Sequence, residues 1–430
     1  MPNDIHLRGR TFDARIALFE PNAANAIGSV GTQVATQAIR KLRRSSPPHA
    51  WDLTALSMAV IASDRLVNRA DTSADGWSRI LNVTVAVTAP DVWNGLRPIV
   101  ERMLRFLTGD IWTIEFVGGG VQPAPASRGM DGRPETCVSL LSGGLDSLIG
   151  AIDLQADGIE TPLFVSNRVR GDCSKQISFA SAVGARSRIL TLNHNARTGA
   201  AHPEISQRPR SLAFIAFAVL AATALDRYQE GDRVTVYVPE NGFISLNVPL
   251  TSLRSGSLST RTTHPIFMSL MQELLDSLGL RVHLENPYGH KTKGEMMAEC
   301  GDKPLLEQHA PRSMSCGRSG RINRHCGQCL PCLVRRAAFL HHTGRLEGDT
   351  TVPPYMKPSP PDAFAQPAYR CYDDVMQCLE AIDTVDRRGP RRWIGASITA
   401  GKVPEAEPYR AVAVRGLMEI KSFLHSVGLV

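Results

Sequence analysis

Apolar and polar positions change their period along the chain. Alternation with period two at Arg15–Phe19 and Ile80–Val87 predicts half-buried strands, while the segments around Trp51–Arg65 and Trp93–Leu107 read as helix-like. Residues 1–130 therefore read as an N-terminal α+β domain of unassigned role. Gly118-Gly119-Gly120, followed by Pro123, Pro125, Gly129 and Gly132, is the loop that ends it. From Cys137 onward short β runs alternate with helices: strands at Cys137–Leu141, Thr161–Ser166, Arg188–Asn193, Arg233–Val238 and around Arg281–Leu284, a long apolar helix at Ser211–Tyr228, and a helix start at Lys293–Glu299. That order predicts an α/β fold over residues 131–345, a doubly wound parallel sheet covered on both faces. Residues 346–430 divide into a proline-rich stretch, Thr351–Pro367, and helical periodicity at Tyr372–Asp383 and Tyr409–Leu424. They are expected to form a linker and a helical C-terminal extension. No internal repeat is visible.

A chain of 430 residues suits two or three domains at ~100–200 residues each. With 43% hydrophobic and 21% charged residues the composition is that of a globular protein, neither disordered nor fibrous. The N-terminal segment has no apolar run of signal-peptide length. The longest apolar run, Leu212–Leu225, falls short of the ~20 residues a membrane span needs, so no membrane is expected and the expected location is cytoplasmic. The net charge of +7 raises the question of a nucleic-acid partner. Against it, the basic residues form no long stripe with interleaved aromatics. One local concentration, Arg312, Arg318, Arg321, Arg324, Arg335 and Arg336, is either a solvated face or a surface for an acidic ligand or partner. Trp77, Trp93 and Trp112 are expected in the core, a partner surface being the other use of such residues.

The densest chemistry lies at Ser142-Gly143-Gly144-Leu145-Asp146-Ser147, between an apolar strand and an apolar helix start. Amides at a helix N-terminus point outward and the helix dipole adds partial positive charge, so this order suits phosphate oxygens. Glycines admit close backbone approach, and Ser142 and Ser147 add hydroxyl donors. No Walker lysine follows, which excludes the kinase and GTPase loop. A carboxylate beside a phosphate nest calls for a bridging cation, and Mg²⁺ on Asp146 is the expected one. The competing reading is an ordinary strand-to-helix turn with Ser and Asp as N-caps.

A second constellation is Cys316, Cys326, Cys329 and Cys332, spaced C-x9-C-x2-C-x2-C. Four thiolates complete a tetrahedral Zn²⁺ shell with no open position, so the ion would be structural; an iron–sulfur cluster is the alternative occupant. Cys137, Cys173, Cys300, Cys371 and Cys378 lack such partners and are taken as core or incidental thiols. Lys175, Arg210, Lys291 and Lys293 are candidate cations for the phosphates. Glu240, Asn241, Asn247, Arg261 and His264 follow a strand at the carboxyl edge, where donors and acceptors for a purine-like base would sit. Asn241-Gly242 also reads as a plain turn, and His194 as a capping or core histidine.

The hexapeptide with its flanking strand and helix resembles the PP-loop signature of ATP pyrophosphatases, whose catalytic domain is adenine nucleotide alpha hydrolase-like. Together with Lys291-Thr292-Lys293-Gly294-Glu295 and a four-cysteine cluster about 170 residues further on, it resembles the QueC family of 7-cyano-7-deazaguanine synthases over roughly residues 136–340. The resemblance implies cleavage of ATP between its α and β phosphates, adenylation of a 7-carboxy-7-deazaguanine-type carboxylate, and attack by an amine. It also implies catalytic roles for Asp146, Ser147 and Lys293. The chain departs from the housekeeping enzymes by about 130 residues in front and about 90 behind. Its stretches Pro239–Asn247 and Ser259–Pro265 look like those of the QueC-like proteins of anti-phage defence islands, the QatC family of the Qat system. That likeness implies defence-operon partners and an acceptor that is ammonia or an amine on a partner protein. Two other readings stand beside it: a PP-loop enzyme adenylating a tRNA base, and a non-catalytic nucleotide-binding scaffold.

Overall fold

The computed structural model describes the chain except for residues 1–3, 9–12, 22–24, 43, 74, 122–131, 159, 169–171, 206–207, 252–260, 319–321, 358–371, 400–402 and 404–405. Pro123, Pro125, Gly129, Ser259, Thr260, Arg321 and Cys371, together with residues 358–367 of the proline-rich stretch, lie outside the described residues.

Two five-stranded sheets organise the rest. The first contains β1 (Asp4–Arg8), β2 (Asp13–Leu18), β3 (Gly28–Val30), β4 (Ile80–Val87) and β5 (Ile111–Gly118), in the order β3-β2-β1-β4-β5. β1 runs antiparallel to both neighbours, whereas β2–β3 and β4–β5 are parallel pairs. β5 shows the alternation of a half-buried strand, with Trp112, Ile114 and Phe116 inward and Ile111, Thr113 and Glu115 outward.

The second sheet is wholly parallel: β6 (Cys137–Leu140), β7 (Pro162–Asn167), β8 (Ile189–Leu192), β9 (Val234–Tyr237) and β10 (Val282–Glu285), ordered β10-β9-β6-β7-β8. β6 and β7 are buried along their whole length, as strands covered on both faces must be. The chain steps outward from β6 in one direction through β7 and β8, then returns to its other side through β9 and β10. β6 and β9 thus flank a topological switch point, the place where open α/β sheets take their ligands.

Helices Pro48–Leu66 and Arg210–Ala222 pack against each other between the sheets, and both are buried nearly all round. This explains why neither shows an amphipathic pattern. One apolar cluster runs through both sheets, from Ile5 and Val83 to Val138, Val165 and Val236. Residues before and after segment 122–131 thus share one apolar cluster. The segment leading into Arg210 is tied to the first sheet by paired Ser29 and Arg197 backbone bonds, each 2.8 Å, by Arg69–Glu204 and by an Arg208 bond to the Thr108 carbonyl.

The expected helix over Trp93–Leu107 is two helices, Pro90–Gly95 and Arg97–Thr108, because Pro98 cannot continue the preceding ladder but fits a first turn. The long helix ends at Ala222 rather than Tyr228, and a short turn of helix follows at Asp226–Gln229. Trp93 and Trp112 are core residues whose indole N–H groups reach Asp52 (3.0 Å) and Thr108 (2.9 Å), and Trp77 lies under the Arg208 guanidinium. The C-terminal region forms helices Tyr372–Arg388, Pro390–Thr399 and Ala406–Ser426, packed on the helix Leu330–Thr343, which carries Cys332 and has Cys329 as its N-cap. No helix among the described residues is long and apolar enough to cross a membrane.

Candidate functional site

At the mouth of β6 the chain turns through Ser142, Gly143 and Gly144 into the helix Leu145–Ala156. Gly143 has φ +86°, a left-handed value that disfavours any residue with a Cβ. The two serines close the turn on itself: Ser142 Oγ accepts from Gly144 N at 3.2 Å, and Ser147 Oγ accepts from Ser142 N at 3.1 Å. Gly144 is the N-cap and has no capping side chain, so the first amides of the helix stay uncapped by the protein. Segment Ser313–Ser315 lies over the turn, with Met314 N bonded to Gly143 O at 2.9 Å.

Asp146 reaches across the switch point. Its Oδ2 accepts from the Asn241 side-chain amide at 2.7 Å and from the Asn241 backbone at 3.2 Å, and its Oδ1 pairs with Lys293 Nζ at 2.6 Å. The Asp146 and Lys293 side chains are only 12% and 8% exposed, so this pair is far less screened than a surface ion pair. Asn241 is itself fully buried. It spends its Oδ1 on Ile244 N at 3.1 Å, which caps the short helix Gly242–Leu246. The carboxylate expected to carry magnesium thus carries a lysine and an asparagine instead.

The other expected cations divide. Lys175 and Asp172 stand beside Gly143, where a Cβ would lie 3.6 and 3.7 Å from theirs, and Lys175 Nζ donates to Asn323. Burial lowers the pKa of both Lys175 and Arg210, and Asp172 opposes the shift in each. Lys175 therefore belongs to the surroundings of the glycine turn, while Arg210 is linked to it only through the charge of Asp172. Lys291 does not belong there: its ammonium is held by Glu299 at 2.6 Å on the half-exposed side of helix Lys293–Glu299.

Of the residues expected to read a base, Glu240 lies near Asp146 and Lys293 at the crevice with its carboxyl largely buried. Asn241 is committed to Asp146 and to its helix cap, as a buried amide must be to stay satisfied. Asn247 ends the short helix in a left-handed conformation, φ 48°. Arg261 turns away to the Phe106 carbonyl (2.7 Å) and ring. His264 caps helix Pro265–Ser277 through Ile266 N at 3.2 Å; burial, with Arg261 adding, depresses its pKa to about 3. His194, expected as a capping or core histidine, accepts from Ala196 N at 3.2 Å; burial, Arg65 and Arg210 depress its pKa to about 4.

Glu240 accepts from Thr263 Oγ1, and its backbone is clasped by the Asn286 amide at 3.2 and 2.8 Å. Thr263 lies within the stretch Ser259–Pro265 without having been expected at the site, and Asn286 is signalled in the sequence only by the turn composition of Asn286-Pro287. Burial pushes the Glu240 carboxyl up from 4.5 to about 7; Asp146 adds to the shift, and Thr263 and Lys293 oppose it. A carboxyl whose pKa is raised on folding stabilises the fold fully below its unfolded value and loses that contribution as pH climbs through about 7. Glu240→Gln is expected to remove this slope, which is worth ~3 kcal/mol between pH 4.5 and 8. Denaturant melts across that range check it: an unchanged slope would show that the Glu240 pKa does not shift on folding.

The four cysteines converge as their spacing requires. The sulfurs of Cys316, Cys326, Cys329 and Cys332 are buried and lie within 4.8 Å of one another, an arrangement able to hold a metal ion such as zinc. Cys316–Cys329 and Cys326–Cys332 are separated by 3.8 and 3.9 Å, and a tetrahedral shell with ~2.3 Å metal–sulfur bonds requires ~3.8 Å. Backbone amides of Arg318, Cys326 and Cys329 point at the sulfurs at 3.3–3.4 Å, as they do toward thiolates.

No family model, curated protein or solved structure matches the chain. What the site can do therefore has to be argued from its geometry. A glycine turn at a helix N-terminus, two lysines and a buried carboxylate meet at the switch point of a parallel sheet. That combination suits an anionic ligand on one side and a hydrogen-bonding ligand at Glu240 on the other.

Proposed function

We propose that the chain is an ATP-dependent enzyme that adenylates a carboxylate of the 7-carboxy-7-deazaguanine type, releases pyrophosphate, and passes the activated acyl group to an amine. The observation carrying this reading is the placement of the glycine turn, Asp146, Lys293 and Asn241 around one switch point. The resemblance to PP-loop and QueC-like enzymes supplies the bond that breaks and the class of acid. Ammonia or an amine on a defence-operon partner is the acceptor, the setting is antiviral defence in the cytoplasm, and zinc is the ion of the four-cysteine cluster.

In this reading the uncapped amides of Leu145 and Asp146, with the Ser142 and Ser147 hydroxyls, hold the departing phosphates. Lys175 adds charge at Gly143. Lys293, aimed by Asp146, offsets the negative charge that develops as the α–β bond opens. A carboxylate has no good leaving group until it is adenylated; the amine then displaces AMP from the mixed anhydride. Magnesium, which the same resemblance implies, finds both Asp146 oxygens already engaged, and no step here runs through it.

The test is pyrophosphate release from ATP with and without 7-carboxy-7-deazaguanine. Asp146→Ala is expected to lower the acid-dependent rate by roughly 10²–10³-fold, the cost of misplacing a transition-state cation. Release with tRNA but not with the acid would favour the RNA-modifying reading. Nucleotide binding without release would leave a scaffold.

A further inference from the structure

The C-terminal helix Ala406–Ser426 touches both arms that grip Asp146. Toward the Lys293 arm, Glu419 accepts from Thr292 Oγ1 and, at 3.3 Å, from Gly294 N. Arg415 pairs with Glu295 at 2.5 Å and donates to the His290 carbonyl at 2.8 Å. Toward the Asn241 arm, Gly416 lies flat on Phe243, where a Cβ would come within 2.5 Å of the ring. Asn241 and Lys293, the two partners of Asp146, are thus braced from behind by one element.

The Lys293 arm has particular need of a brace. Helix Lys293–Glu299 has only seven residues, too few to hold itself without packing. Its capping box uses Thr292 Oγ1 as acceptor for Glu295 N at 3.1 Å and the Glu295 carboxylate as acceptor for Thr292 N at 2.8 Å. That leaves the Thr292 hydroxyl hydrogen and the Gly294 amide as donors, and the Glu419 carboxylate takes both. It is 8% exposed, with His341 Nδ1 3.7 Å away. Gly294 is what permits the approach: a Cβ there would lie 2.6 Å from Glu419 Oε1 and 2.7 Å from His341 Cγ. The first residue of this braced turn is Lys293.

We infer that Glu419 is a positioning residue for Lys293, and that helix Ala406–Ser426 is an integral wall of the candidate catalytic centre. The activity arm of the test rests on the proposed function, and the labelling arm does not. Lys293 Nζ, sealed against Asp146, should acylate slowly relative to exposed Lys303 in the same molecule when the full-length protein is treated with trace acetic anhydride and digested for mass spectrometry. Glu419→Ala and Gly294→Ala are each expected to raise Lys293 labelling several-fold while melting stays cooperative. Both should lower kcat for pyrophosphate release by up to roughly 10²-fold, the cost of a small misplacement, with KM for ATP little changed. Glu419→Gln, which keeps an acceptor for Thr292, should recover part of both.

Should Glu419→Ala fail to fold, Gly294→Ala carries the same comparison, since alanine raises helix propensity and would by itself tighten the turn. Unchanged Lys293 labelling in Gly294→Ala overturns the inference. Wild-type protein that releases no pyrophosphate, yet shows the labelling change, overturns the proposed function and leaves the positioning role standing.

Discussion

Cys329→Ser is expected to empty the four-cysteine site and to lower stability by several kcal/mol. The reason lies in what surrounds the sulfurs. Their apolar company is the Tyr355 ring and part of Met314, so without an ion the centre of this segment would be four thiols and little else. Structural zinc in small sites binds with apparent free energies of ~10–16 kcal/mol near neutral pH, and where the site forms only on folding that binding energy is folding energy. Much of the chain nearby hangs on the same knot: Lys357 N bonds to Cys326 O at 3.1 Å, Met356 N to His325 O at 2.9 Å, and Ser315 N to His325 Nε2 at 3.1 Å. The loss should also reach the glycine turn, because Met314, two residues before Cys316, is bonded to Gly143. Metal analysis should give one zinc per chain in the wild type and none in the variant, with a lower melting midpoint and slower pyrophosphate release. Iron and sulfide in place of zinc would assign the alternative cluster. Full stability after complete metal removal would make the cysteines ordinary core residues.

The features legible in the sequence are those whose signal is local. The second sheet follows the short β runs closely: β9 at Val234–Tyr237 falls within the expected Arg233–Val238, and β7 at Pro162–Asn167 overlaps Thr161–Ser166. The cysteine cluster is local in the same sense, since three of its four ligands sit within seven residues. β1, β3 and β5 were passed over. β3 is three residues long, too short to show a period, whereas β5 does carry the period-two alternation of a half-buried strand. The site fared differently, because its contacts join residues far apart in sequence. Asp146 meets Asn241 across 95 positions, and no local pattern distinguishes an asparagine that reads a base from one that holds a carboxylate. Arg261 and His264 follow the right strand yet face Phe106, since burial and a helix cap outweigh any call from the crevice.

Lys293→Met and Asp146→Asn, made singly, are each expected to destabilise the fold by about 2–4 kcal/mol, and together by less than either alone. Each single change strands a charge in a nearly closed space, and removing one partner of a buried pair typically costs ~3–5 kcal/mol. The residual exposure of the two side chains reduces that somewhat. Asp146→Asn leaves an ammonium facing a neutral amide; Lys293→Met leaves a carboxylate with only the two Asn241 donors. The double variant strands neither charge, keeps nearly the same volume, and retains an acceptor for Asn241. Denaturant titration of the four proteins gives the coupling energy directly. If the singles cost under ~1 kcal/mol and add, the pair behaves as a solvent-screened surface contact. Activity should not follow stability through the cycle. A methionine cannot offset charge on a breaking phosphoanhydride, so the double variant should fold well and still lack acid-dependent pyrophosphate release. A double variant that regained both would reduce Asp146 and Lys293 to a structural strut and move the chemistry to Lys175 beside Gly143.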